Sequence, residues 1–105
     1  MNDRELLEMA AKAAGIELVG GSRTPMVWEN GFPLDYMREW RPLSDDGDAL
    51  RLAVRLEMTI RNFGHLVSVM APHQYQVDEY TNDDPCAATR RAIVRVAADI
   101  GRAMP

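Results

Sequence analysis

Residues 39–56 read EWRPLSDDGDALRLAVRL, and they specify a turn that runs into a strongly capped, buried helix. Pro42 fixes the approach. Ser44 is placed to accept from an orphan backbone N–H as N-cap, and Asp45 and Asp46 stand where the helix dipole favours negative charge. Ala49, Leu52, Ala53 and Leu56 recur at i, i+3, i+4 and i+7, with Leu50 and Val54 widening the apolar face. Asp48, Arg51 and Arg55 fall on the other side at spacings suited to ion pairing. The expectation is a helix pressed into a core, with Asp48 on its solvated side.

Two further helices flank it. At the start, Asn2 and Glu5 fit a capping box, Leu6, Met9, Ala10 and Ala13 make an apolar stripe, and Gly15 closes the segment. At the end, Asp84 as N-cap and Pro85 at the first helical position open a helix that runs to about residue 103. Its expected buried stripe is Cys86, Ile93, Val96, Ala97, Ile100 and Met104, with Arg91, Arg95 and Arg102 on a solvated face. Between the first two helices, IELVGG (residues 16–21) and MVWENG (residues 26–31) read as a hairpin in which Trp28 anchors on the core. Residues 31–42, GFPLDYMREWRP, hold two prolines and no sustained period, so they read as a structured loop. After the central helix, MTIRN (58–62) and HLVSVMA (65–71) read as strands, the second central, and PHQYQVDEY (72–80) as an edge strand.

The chain has 105 residues, 47% hydrophobic and 27% charged, which suits a single globular domain. No apolar run reaches the roughly 18 residues of a membrane helix. The opening MNDRELLEMAAKAAG is acidic and amphipathic where a secretory signal would be basic and then apolar, so the expected location is the cytoplasm. One cysteine, Cys86, fits a reducing compartment and is expected in the core. The net charge of −4 argues against a protein built to neutralise phosphates, although eleven of its twelve basic residues are arginine.

The blocks EWRPLSDDGDALRLAV (39–54) and DDPCAATRRAIVRVAADIGR (83–102) resemble the phage ABA sandwich family, small proteins encoded by bacteriophages and prophages. They cover about a third of the chain. The resemblance implies an α/β/α sandwich, in agreement with the α-β-β-α-β-β-α order of the residues. The expected fold is therefore α+β, an antiparallel sheet of about four strands with three helices on its two faces. The family carries no assigned activity or catalytic residues to transfer.

Searched for chemistry, the sequence offers little. Asp45, Asp46 and Asp48 lack the spacing of an EF-hand loop, and helix capping accounts for the first two. His65, His73 and Cys86 follow no zinc-ligand pattern, and neither a phosphate loop nor a nucleophile elbow is present. No catalytic residue, metal or cofactor is assigned. The favoured reading is a non-enzymatic accessory or interaction protein with a phage or host protein partner, self-association being left open. Its candidate surface is Phe32, Tyr36 and Arg38, because aromatics and arginine concentrate at binding hot spots; Trp40 is assigned to the core. Two other classes compete with it: a nucleic-acid module using Arg90, Arg91, Arg95 and Arg102, and a small metal-dependent enzyme around the acidic residues.

Overall fold

A computed structural model describes residues 1–21, 23–31 and 34–105. Three helices and five strands follow in the order α1 (Asp3–Ala14), β1 (Met26–Glu29), β2 (Tyr36–Glu39), α2 (Asp46–Arg55), β3 (Thr59–Asn62), β4 (Leu66–Ala71), β5 (Tyr75–Tyr80) and α3 (Pro85–Ala103). The fold is α+β, with three helices and two antiparallel sheets, β1-β2 and β3-β4-β5. The strands thus number five in two sheets, close to the four expected.

The helix boundaries follow from local chemistry. Asn2 accepts from the Glu5 N–H at 2.8 Å, and Gly15 ends α1 in the left-handed region at φ +69°. Asp84 accepts from the Ala87 N–H at 3.0 Å and Pro85 opens α3 as expected. At α2 the cap is Asp45, which accepts from the Asp48 N–H at 2.8 Å, and not Ser44. Pro42 is buried, and the Ser44 and Asp45 N–H groups both donate to the Arg41 carbonyl, so the turn takes up Ser44 and the helix begins after Asp45.

In the larger sheet β4 is central, paired with β3 through Ile60↔Val69 and with β5 through Val69↔Val77. Paired residues share a face, so Ile60, Val67, Val69 and Val77 point one way, toward α3. α3 packs on β4 and β5, α1 lies along α3, and α2 flanks α3 near its start. The core therefore centres on Val67, Val69, Val94, Val96 and Leu52, closed by alanines from α1 and α3. The other sheet face carries Thr59, Arg61, Gln76, Asp78 and Tyr80, all exposed. There the Gln76 amide covers Ser68, donating to its Oγ at 3.2 Å.

Several expectations are corrected. Residues 16–19 lie outside both sheets, and MVWE pairs instead with Tyr36–Glu39, inside the segment read as loop. Cys86, at the open end of α3, is exposed and not in the core; Met104 is exposed as well. Leu50 and Val54 face solvent from α2, whose buried side is Asp48, Ala49, Leu52 and Ala53. No described helix is long and apolar enough to cross a membrane.

Candidate functional site

The β1-β2 hairpin is held to α2 by one buried carboxylate. Asp48 is only 2% exposed. Its Oδ1 accepts from Arg38 Nη2 at 2.8 Å and Arg51 Nη2 at 2.7 Å, and its Oδ2 accepts from Arg38 Nη1 at 3.0 Å and the Arg41 N–H at 2.9 Å. Four donors fill the lone-pair positions of the two oxygens. The Arg38 fork is bidentate, and its Nε turns back to Glu29 on the neighbouring strand. Burial pushes the Asp48 carboxyl up, but the bonds from Arg38, the Arg41 N–H and Arg51 outweigh it and hold the group at about 2. The same hydrogen bonds to Asp48 raise Arg38 above its ordinary range.

The placement follows from the strand register. Val27↔Arg38 and Glu29↔Tyr36 are cross-strand pairs on the face turned to α2, where Val27 is buried and Arg38 reaches Asp48. The Trp40 N–H donates to the Pro25 carbonyl at 2.9 Å, extending the pairing, and its ring is buried as expected. The alternate face carries Met26↔Glu39 and Trp28↔Met37. Trp28 is 65% exposed and Met37 is exposed beside it, so the indole is a surface group and not the core anchor expected. Leu34, near the hairpin turn, is exposed too, and Tyr36 at its mouth is 49% exposed.

Of the three residues expected to form an interaction surface, Tyr36 is accessible and Arg38 is the hairpin's anchor, largely consumed by Asp48 and Glu29. Phe32 lies outside the described residues. Sequence reasoning missed Trp28 and Met37 because their adjacency depends on a register between two four-residue strands. The apolar Trp28 sits between Val27 and Glu29, and alternation alone does not say which side is wet.

Behind the hairpin a cleft of about 230 Å³ is lined by Val27, Trp28, Trp40, Leu52, Arg51 and Arg55, among others. That is below the roughly 300 Å³ at which small-molecule sites begin. Among the described residues no three His, Cys, Asp or Glu side chains converge as metal ligands. The acidic trio of α2 is otherwise engaged: Asp45 caps the helix, Asp46 pairs with Arg90 at 2.6 Å, and Asp48 is bonded by arginines.

The arginines of α3 are matched to acids. Arg90 also donates to the Leu43 carbonyl at 2.9 Å, while Arg91 meets Asp3 at 3.6 Å, Arg95 meets Glu79 at 3.0 Å and Arg102 meets Asp99 at 3.7 Å. No family model, curated protein or solved structure matches the chain.

Proposed function

We propose that this chain is a non-enzymatic protein-interaction module, an accessory protein of the phage or prophage kind that its two helical blocks resemble, working in the cytoplasm of a bacterial host. The recognition surface is the outer face of the hairpin, Trp28 with Met37, bordered by the exposed Leu34 near the turn and by Tyr36, which belongs to the inner face but is accessible at the hairpin's mouth. The observation that carries this reading is the solvent-facing Trp28–Met37 pair on a hairpin fixed from behind by the Arg38–Asp48 fork. A large aromatic is held out on a rigid base, so little side-chain and backbone freedom is lost when a partner covers it. The nucleic-acid alternative is not supported by the arginines of α3, because each of Arg90, Arg91, Arg95 and Arg102 faces a carboxylate.

The test is capture of a phage or host protein by the tagged chain, identified with the wild type and then measured with variants. Trp28→Ala is expected to weaken that complex by at least about tenfold, as hot-spot tryptophans do, and to leave the melting temperature unchanged. Arg90→Ala, on α3, is expected to leave binding intact. Full binding by Trp28→Ala, or a requirement for DNA in the captured complex, would remove the reading.

A further inference from the structure

The cleft of about 230 Å³ between the hairpin and α2 carries more positive than negative charge. Its apolar walls are Ile16, Val27, Trp28, Trp40 and Leu52, and three guanidinium groups, those of Arg38, Arg51 and Arg55, share it with the one carboxylate of Asp48. Arg38 is spent on Asp48 and Glu29. Arg51 gives its Nη2 to Asp48 at 2.7 Å and stands 3.9 Å from Asp45, with its side chain 65% exposed. Arg55 is exposed and has neither a hydrogen bond nor a carboxylate partner among the described residues. Its place in the last turn of α2 suits the helix dipole, but the dipole satisfies none of its five N–H donors. Four residues apart on one helix, Arg51 and Arg55 repel each other. Beyond the cleft the furrow continues: Ile16, Val27 and Trp28 also wall a hollow of about 580 Å³ along residues 16–20, where Glu17 is the one charged residue.

We propose, on the reading that the hairpin is the recognition surface, that this furrow receives an extended segment of the protein partner with an acid–apolar–acid pattern. Its two carboxylates pair with Arg51 and Arg55, and the apolar side chain between them rests against Trp28. Charge selects the occupant, because an anion relieves the Arg51–Arg55 repulsion and a guanidinium takes a carboxylate through two parallel bonds. Spacing selects an extended chain. Alternate residues of a strand lie about 6.6 Å apart on one side, close to the roughly 5–6 Å between helix positions four apart, and the residue between them points the other way. α2 forms one wall and the hairpin the other, so acids turned to α2 turn the intervening side chain toward Trp28 and Val27. A volume of about 230 Å³ is small for a free ligand and suits a single side chain of a larger partner. Glu17 repels acids along residues 16–20, which confines them to the α2 end of the furrow.

The chain's two tryptophans, Trp28 and Trp40, both line the cleft, so their fluorescence reports its filling. The probe is the acetylated, amidated peptide Ser-Glu-Leu-Glu-Ser, titrated into the whole chain. A saturable change in emission is expected, weakening as salt rises. The matching Ser-Gln-Leu-Gln-Ser peptide is expected to bind at least about tenfold more weakly, and Arg55→Gln to raise the dissociation constant of the glutamate peptide at least about threefold. Because Arg55 bonds to no described residue, the melting temperature of that variant is expected to match the wild type. Arg102→Gln, which removes the same charge from α3, is expected to bind as the wild type does. Absence of a saturable change up to about 5 mM peptide, equal affinity for the two peptides, full affinity in Arg55→Gln, or tighter binding of oligothymidylate overturns the inference. The hairpin reading is judged separately. If the glutamate peptide fails while Trp28→Ala still weakens the captured complex, the acidic segment falls and the hairpin surface stands. If the peptide binds as expected and the captured complex ignores Trp28→Ala, the cleft keeps its ligand and the hairpin's outer face loses its role.

Discussion

Asp48 shows how much one side chain can carry without a local signature. It stands three residues after the true cap, at the position where a capping-box acid would reach back to the cap's own N–H. Its carboxylate takes the Arg41 N–H and the Arg38 fork instead. The two partners in that fork are ten residues apart across a strand, a turn and a helix start. No spacing rule connects them, and Asp48 reads from the sequence as a solvated ion-pair member. Asp48→Asn is expected to cost about 2–3 kcal/mol in urea unfolding, because Arg38 loses its partner in a partly buried place. Since the folded carboxyl is held at about 2 against an ordinary 3.8, its stabilisation is complete above the ordinary value. It is lost as pH falls from there through about 2, a change of about 2 kcal/mol. The asparagine variant should therefore show a flatter acid limb than the wild type over that interval.

At the scale of elements, legibility tracked how local the determining chemistry is. α3 was readable to its first residue because Asp84 and Pro85 act on the adjacent backbone. α2 was readable as a helix but misphased by one residue at its start, since Ser44, Asp45 and Asp46 are all competent caps by residue type and only the folded turn, in which the Ser44 and Asp45 N–H groups donate to the Arg41 carbonyl, places Asp45 at the cap. Asp45→Ala is expected to cost about 1 kcal/mol and Ser44→Ala less than about 0.5 kcal/mol, compared by denaturant unfolding. The opposite order would return the cap to Ser44. β4 was visible as an apolar run facing both ways and β5 in its alternation, whereas β2 hid inside a segment whose prolines and aromatics suggested a loop. Its four residues pair with β1 only in the folded chain, so Tyr36 could be named from composition, whereas the exposed Trp28–Met37 pair appears only with the strand register.

Across the whole molecule, the α+β class and the three helices were evident from the switching of apolar periods, but the way the helices stack was not. α1 lies along α3, and Ala10, Ala11 and Ala14 of the first helix and Ala97 and Ala98 of the last are all buried. At their closest approach a Cβ on Gly101 would stand 2.0 Å from the Met9 carbonyl oxygen. In a sequence, alanine reads as a good helix former and Gly101 as a weak point; only the packing shows that both are small so that two backbones can touch. Gly101→Ala, which raises intrinsic helix propensity, is expected instead to lower stability by about 1–3 kcal/mol through overpacking, measured by thermal or urea unfolding. A stabilised variant would mean that α1 is free to move aside.

That contact also joins the earliest helix of the chain to the latest. During translation α1 leaves the ribosome before its packing partner has been synthesised, and a 12-residue helix with alanines on its apolar face is marginal by itself in water. The sheet and α2 are made while α1 waits, and the final docking closes a loop spanning most of the polypeptide, a slow step by contact-order reasoning. A ribosome stalled before α3 emerges should hold a nascent chain whose α1 is still open to proteases, and emergence of α3 should protect the two helices together.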